Sequence, residues 1–324
     1  MIQDMALPRV AVLRGGMSNE YEVSMKTGCS VCQTLSDLGY SFKDITITRN
    51  GDWLDGGRVR TPEQALTGVD VVFIALHGEH GEDGRLQRYL SHHQIPYTGS
   101  RALASATALN KAFTKRLVAS RGIQTPRSAV IERSSDIEQD VLAIPSELGE
   151  RLVVKPLSCG SSLDTRVDIS PDVAKEVVTD LLSRYTAVLV EQYIPGKEVT
   201  VGILEQFRDT PYYCLPPIEI ELPQGEAFYN YNAKYESPCT YHCPGRLSKK
   251  EQQQVQEIAE EVHKLLDLRH YSRSDFIVAD DDVYFLEVNT LPGLTDTSLF
   301  PKAMAAVGAD YKQLISHLVA NAHY

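Results

Sequence analysis

Residues 271–289, YSRSDFIVADDDVYFLEVN, alternate apolar and polar positions on both sides of an Asp-rich stretch. Period-two alternation marks half-buried strands and the interruption marks a turn, so the segment predicts a β-hairpin. With the turn at Asp280 to Asp282, antiparallel register sets Asp275 opposite Glu287 and Arg273 opposite Asn289, at cross-strand Cβ separations of ~5 Å. Glu287 and Asn289 then project together from one face, Leu286 and Val288 turn toward the core, and the strand breaks at Pro292-Gly293.

The same patterning divides the rest of the chain. Over the first hundred residues the apolar runs RVAVL, KDITIT and VDVVFIALH alternate with helical periodicity at about 22–38 and from about 84, before IPYTG. This βαβ order predicts a parallel sheet. Glycine-rich LRGGMSNE and LHGEHGEDG follow two of its strands, at the C-terminal ends where open α/β sheets bind ligands. A helix over about 101–121 stops at Gly122, with Pro126 beyond. RLVVKPL, the loop SCGSSLDT, a helix over about 172–184 and TAVLVEQYI make a small α+β unit. From about 195 the chain reads KEVTVGIL, YCLPPIEI, a polar, Tyr-rich loop over 222–246 and a long helix. That helix has Ser248 and Glu251 at capping-box spacing, and Val255, Ile258, Val262, Leu265 and Leu266 form its apolar stripe. Neither GxGxxG nor GxxxxGK[ST] occurs.

At 324 residues, 43% hydrophobic and 23% charged, the chain is long enough for two or three domains with large cores. Its net charge of −11 comes without the clustered Lys and Arg that phosphate neutralisation requires, which excludes nucleic acid and favours a small ligand. No apolar stretch approaches the ~20 residues that span a bilayer, and MIQDMALPRVAVL lacks the basic start and long apolar run of a secretory signal. A cytoplasmic protein without membrane association is expected. Cys29, Cys32, Cys159, Cys214, Cys239 and Cys243 then read as free thiols. Cys29 and Cys32 have CxxC spacing, but they fall in a predicted helix and no second pair follows at zinc spacing.

Two carboxylates and an amide on one hairpin face need a counter-charge, because repulsion would otherwise force one acid to protonate. A divalent cation supplies it. Oxygen-only ligands favour Mg²⁺, which keeps waters and bridges to substrate phosphates. The alternative is a solvated hairpin face, and for Asp280 to Asp282 it is the better reading. Lys155, before the Gly-Ser loop, and Lys111, in the preceding helix, can meet the same phosphates, and CGSSL can wrap them with backbone N–H groups.

Taken in order, VAVLRGGMSNEYEVSMKTG, FIALHGEHGEDGRLQ, IPYTGS, LNKAFTK, VVKPLSCGSS, VEQYIPGKEVTV, FYNYNAKY, SRSDFIV and FLEVNTLPGLTDTSLFP resemble the D-alanine:D-alanine ligase family of the ATP-grasp superfamily, nearly end to end. The resemblance implies an α/β, ATP-grasp fold of three α/β domains: a parallel-sheet substrate domain over 1–102, a small central α+β subdomain over 103–194, and an antiparallel-sheet catalytic domain over 195–324 with a mobile loop at about 222–246. It implies ATP and two Mg²⁺ ions, with Mn²⁺ as a substitute, two D-alanine substrates and a homodimer. Lys111 and Lys155 would contact ATP phosphates, with the Ser161 loop closing over them. Glu191, Gln192 and Ile194 would line the adenine hinge, and Glu198 would hold the ribose. Asp275, Glu287 and Asn289 would hold the metal ions. Glu20 would bind the first ammonium beside Val23 and Ser24, and His77 would orient that substrate. Ser298 and Leu299 would take the second substrate's carboxylate. Arg273 and the Gly293 N–H would stabilise the oxyanion, and Lys234 and Tyr235 would lid the site.

Three positions depart from the family pattern. Asp164 replaces an expected glycine, Ser274 an aliphatic residue and Arg88 a small one. A carboxylate at 164 near a triphosphate would repel it. Two other readings stay open: an ATP-grasp ligase for other amino acids, and a non-catalytic nucleotide-binding homologue.

Overall fold

The computed structural model describes residues 7–134, 147–158, 160, 164–222, 239–280, 282–295 and 297–323. Ser161, Lys234, Tyr235 and most of the 222–246 loop lie outside the described residues.

Among the described residues the strands fall into three sheets. In the first, β1 (Val10–Gly15) runs parallel to β2 (Phe42–Ile47) on one side and β5 (Val71–Ile74) on the other. An antiparallel hairpin of β3 (Trp53–Asp55) and β4 (Arg58–Arg60) extends the β2 edge. Strands of three residues are too short for alternation to register, so the hairpin was not predicted. IPYTG contributes only bridges, from Tyr97 to Val72 and to His323. The helices α1 (Tyr21–Asp37), α2 (Pro62–Ala65) and α3 (Arg85–His92) connect these strands and follow them.

The helix expected over 101–121 is two. Asn110 adopts an extended conformation between α4 (Ala102–Leu109) and α5 (Lys111–Ala119), and its side chain accepts the Phe113 N–H at 3.0 Å as the cap of α5. The cap competes with helical continuation, as short amide side chains do. It makes Lys111 the first residue of a new helix.

The second sheet is antiparallel, ordered β6 (Ser128–Glu132), β9 (Ala187–Gln192), β7 (Leu152–Pro156), β8 (Arg166–Ile169), with α6 (Pro171–Arg184) packed on it through Leu152, Val154, Val178, Leu181 and Val190. The third carries β10 (Lys197–Phe207) between β12 (Ile218–Glu221) and β14 (Tyr271–Ala279). Short β13 (Thr240–His242) and β15 (Asp282–Asn289) form its edges, and β11 (Thr210–Cys214) also pairs with β10. The apolar stripe of α7 (Lys249–Leu265) covers this sheet, and both halves of the Ser248–Glu251 capping box are present.

The predicted pairs Asp275–Glu287 and Arg273–Asn289 occur, but for another reason. Ala279 pairs with Asp282, so the turn is one residue tighter than expected, and a bulge beyond Asp275 restores the register. Bulges re-aim side chains. Here Leu286 is the extra residue, and it lines a cleft instead of the core, while Val288 stays buried.

The hydrophobic cores do not follow the chain's three segments. Ala104, Ala108, Val118 and Ile123 share the core of the third sheet, with Val199, Phe276 and Phe285. Residues of β1 and β5 share one core with Phe300 of α8 (Leu299–Ala306) and with Leu314, Ile315 and Leu318 of α9 (Tyr311–Ala320). Leu318→Ala should therefore cost ~2–5 kcal/mol and shift the denaturation midpoint reported by Trp53, the chain's one tryptophan, on β3. A Trp53 transition unmoved by the substitution would contradict the shared core.

Candidate functional site

A cavity of about 320 Å³ opens between the second and third sheets. From the second sheet come Val153, Lys155 and Val167, with Glu191, Gln192 and Ile194 at the end of β9. The third contributes Glu198, Arg273, Asp275, Ile277, Leu286 and Glu287. Its lining combines apolar Val153, Val167, Ile194, Ile277 and Leu286 with charged Lys155, Arg273, Asp275 and Glu287, which suits a flat ring followed by phosphates. A second cavity of about 90 Å³ lies below it, lined by Glu20, Val23, His77, Glu82, Asn289, Gly293 and Ser298 among others. Lys111, Arg273, Glu287 and Leu299 line both, so the two spaces meet at cationic groups and a carboxylate.

Asp275, Glu287 and Glu191, all lining the larger cavity, are each held by a base. Asp275 accepts Arg273 Nε at 3.0 Å and Nη2 at 2.9 Å, and also Thr200 Oγ1 at 2.6 Å. Lys111 Nζ stands 3.3 Å from Glu287. Glu191 is bridged by two lysines, Lys155 at 2.6 Å and Lys115. Burial would raise the Glu191 carboxyl, but Lys115 and Lys155 hold it below the ordinary range. Burial lowers Lys115, while at Lys155 the charges of Glu191, Glu287 and Asp275 outweigh burial and raise it. Paired in this way, the charges can remain in a low-dielectric cleft.

Lys115 is a residue that the sequence reading missed. It lies one turn after Lys111 on α5 and is buried. The four-residue spacing in LNKAFTK put both lysines on one helix face, and that was the available signal. Glu82 was missed too. It is buried in the smaller cavity, where Thr290 and Leu291 N–H groups reach its carboxylate at 3.1 Å.

Two expected substrate residues sit differently. Ser24 is fully buried beneath the site, accepting Gly15 N–H at 2.7 Å and donating to Ala75 O at 2.8 Å. It ties β1 to the end of β5 and lines neither cavity. His77 lines the smaller cavity, but its Nδ1 donates to Leu291 O at 2.9 Å and its Nε2 accepts Thr27 Oγ1 at 2.8 Å. Burial pushes it below its ordinary pKa, so it is neutral with both nitrogens engaged. It shapes the pocket by holding the Leu291 turn. Glu20 caps α1 without a side-chain cap bond, and a methyl group at Gly78 or Gly160 would fall on its carboxylate. Those glycines leave room for the acid. Ser298 accepts the Thr295 N–H at 3.0 Å at the start of α8, next to Gly293.

Among the described residues no group of three or more His, Cys, Asp or Glu is arranged for a metal. The oxygen set is two carboxylates and an amide, with Asp275 on the larger cavity, Asn289 on the smaller and Glu287 on both. These hard donors fit Mg²⁺, and the cations now paired with them are the ones that incoming phosphates would attract.

A family model described as the C-terminus of D-ala D-ala ligase matches residues 117–320, and one described as its N-terminus matches 55–100. D-alanine–D-alanine ligase of Syntrophotalea carbinolica is 39% identical over 99% of this chain and 98% of its own, and that of Aquifex aeolicus 37% over 96% and 99%. Among solved structures, D-alanine–D-alanine ligase of Bacillus anthracis complexed with ATP superposes with TM-score 0.78 at 29% identity, covering 97% of this chain and 96% of that one. The VanG D-Ala:D-Ser ligase of Enterococcus faecalis gives 0.82 at 28%, covering 97% and 99%.

The departure at Asp164 is accommodated locally. Its φ of 57° is one that Asp tolerates better than most residues. Its carboxylate accepts Arg184 Nη1 at 2.5 Å and Tyr185 OH at 2.7 Å. Burial opposes ionisation there, but these two partners hold the acid below its ordinary range. It lines neither cavity. Asp164→Asn should change nucleotide affinity by less than about threefold, as for substitutions away from a site; a tenfold gain by direct titration would mean that the carboxylate faces phosphate. Ser274 is buried on the far face of β14 and Arg88 is exposed, so neither touches the cavities.

Proposed function

The chain belongs to the D-alanine–D-alanine ligase family, and we propose that its two joined cavities are the ATP and D-alanine sites of that reaction. The protein is an ATP-grasp enzyme that joins two D-alanine molecules into D-alanyl-D-alanine for peptidoglycan precursors, using ATP and Mg²⁺. The observation that carries the site assignment is the meeting of the cavities at Lys111, Arg273 and Glu287. There a terminal phosphoryl group from one side can reach a carboxylate from the other.

Adenine lies against Glu191, Gln192 and Ile194, with the ribose at Glu198. Lys111 and Lys155 leave their carboxylate partners for the phosphates. Glu20 holds the first D-alanine's ammonium, with Val23 beside it. The carboxylate oxygen of that D-alanine attacks the γ-phosphorus, the bond from the γ-phosphorus to ADP breaks, and D-alanyl phosphate remains. The amine of the second D-alanine, whose carboxylate meets Ser298 and Leu299, adds to the acyl carbon. The tetrahedral oxyanion is stabilised by Arg273 and the Gly293 N–H, and collapse breaks the C–O bond to phosphate as the amine loses a proton. Mg²⁺, held by Asp275, Glu287 and Asn289, neutralises phosphate charge when bound. Fixed donors of this kind typically supply several kcal/mol. Ser161, Lys234 and Tyr235 complete this reading as a lid.

The divisions near residues 102 and 194 belong to the same proposal, as the limits of a substrate, a nucleotide-covering and a catalytic segment. So do a homodimer and a cytoplasmic location, the latter supported by ATP as substrate and by free thiols at Cys29, Cys32, Cys214, Cys239 and Cys243. No helix among the described residues is long and apolar enough to cross a membrane.

Purified protein should form phosphate and dipeptide in equal amounts from ATP and D-alanine, with none from L-alanine and less from D-serine. Nucleotide binding without turnover on any amino acid would favour a non-catalytic homologue. Glu287→Gln should lower turnover at least tenfold at saturating Mg²⁺, the equivalent of ~1.4 kcal/mol; a variant keeping more than that would not have lost a metal ligand. Glu20→Gln keeps the shape and removes the charge, so the first-site Michaelis constant should rise at least ~30-fold while direct nucleotide titration stays unchanged. A rise below about threefold would free Glu20 of this role.

A further inference from the structure

We propose that Glu82 is a positioning residue that ties the loop after β5 to the turn after β15, and thereby sets where the Gly293 N–H stands. The inference rests on the ligase reading of the smaller cavity and adds a residue to it.

Glu82 Oε1 accepts the Gly78 N–H at 2.9 Å, within its own loop. Oε2 accepts three donors from the other side of the molecule: Thr290 N–H at 3.1 Å, Thr290 Oγ1 at 3.0 Å and Leu291 N–H at 3.1 Å. The two segments are 208 residues apart in the chain. Four donors on two oxygens call for a group that only accepts, which among side chains means an ionised carboxylate. The loop is itself closed by Glu82 N–H donating to Gly78 O at 2.8 Å, so Glu82 is held before it grips the turn. His77, in the same loop, adds the reverse bond by donating to Leu291 O at 2.9 Å. Leu291 thus has both its N–H and its C=O fixed by the substrate loop. Two residues on, Gly293 lines the cavity.

A carboxylate is a costly way to hold two loops together if packing alone would serve. Leu291 and Leu294 are already in the large apolar core on the same turn. What a hydrogen-bonded anion adds is direction, because it orients the backbone amides of the turn, and misplacement by ~1 Å can cost ~100-fold in rate. Burial and the nearby Glu20 charge push the Glu82 carboxyl above its ordinary range, against the pull of the Gly78 and Leu291 N–H donors.

The test compares Glu82→Gln and Thr290→Val with the wild-type protein. Gln keeps the size but turns an amide N–H toward backbone N–H groups. Turnover should fall at least ~30-fold in Glu82→Gln and ~3- to 10-fold in Thr290→Val, which loses one hydroxyl donor. Nucleotide affinity by direct titration should stay within about twofold in both, since neither residue lines the larger cavity. The double variant should be no slower than Glu82→Gln alone, because the hydroxyl's partner has already gone. Wild-type turnover, assayed well below the melting temperature, separates a failure of the ligase reading from a failure of this one. With active wild type, a Glu82→Gln protein that melts earlier but turns over normally would overturn the proposal. Should Glu82→Gln not fold, Thr290→Val decides, and turnover within ~1.5-fold of wild type would overturn the proposal.

Discussion

A cleft that binds a polyphosphate and a metal must carry both signs of charge before either ligand arrives, and burying such charges is costly unless they are paired. The protein meets this constraint by pairing its own groups: Arg273 with Asp275, Lys111 with Glu287, and Lys115 and Lys155 with Glu191. Arg273 and Asp275 share β14, while the other pairs join different elements. Lys155 and Glu191 stand on adjacent strands of the second sheet, Asp275 and Glu287 on paired strands of the third, and Lys111 and Lys115 on α5 between them. The folded arrangement of the two sheets is therefore also an electrostatic arrangement. In the proposed reaction, phosphate and Mg²⁺ would exchange partners with charges already in place. Lys115, which faces Glu191, would let that acid stay ionised if Lys155 turned to a phosphate.

The backbone serves the same end at three places. Asn110 interrupts a helix so that Lys111 opens a new one at the mouth of the cleft. The bulge at Leu286 keeps Glu287 opposite Asp275 while turning an apolar side chain toward the larger cavity. The bonds from Glu82 and His77 to Leu291 hold the loop after β5 against the turn at Gly293. Behind them, a core shared by β1, β5, α8 and α9 keeps the floor of the smaller cavity and the turn after β15 in one body.

Much of this was readable in the sequence wherever the signal is local. Alternation over 271–289 announced the hairpin and its oxygen-bearing face, and Ser248 with Glu251 announced a helix start that is present. The agreement at Asp275 and Glu287 came from two compensating features, a tighter turn and a bulge, that alternation cannot distinguish. What stayed hidden depends on distant partners. Glu82 looks like any acid in a glycine-rich loop until Thr290 and Leu291 are folded onto it. Ser24 looks like a ligand group until Gly15 and Ala75 are found to use both sides of its hydroxyl. Asp164 looked disruptive in sequence because Arg184 and Tyr185, which hold it, come from the far end of α6.

If the acids of the cleft are neutralised by protein cations until nucleotide draws those cations away, divalent metal should bind poorly to the protein alone. Titration with Mn²⁺, followed by its electron paramagnetic resonance signal, measures this directly. The nucleotide-free protein should show no site tighter than about 1 mM, as expected where a metal depends on substrate phosphates. Addition of a non-hydrolysable ATP analogue should create sites that Glu287→Gln weakens. A site of ~10 µM in the nucleotide-free protein, near −7 kcal/mol of binding, would contradict the account.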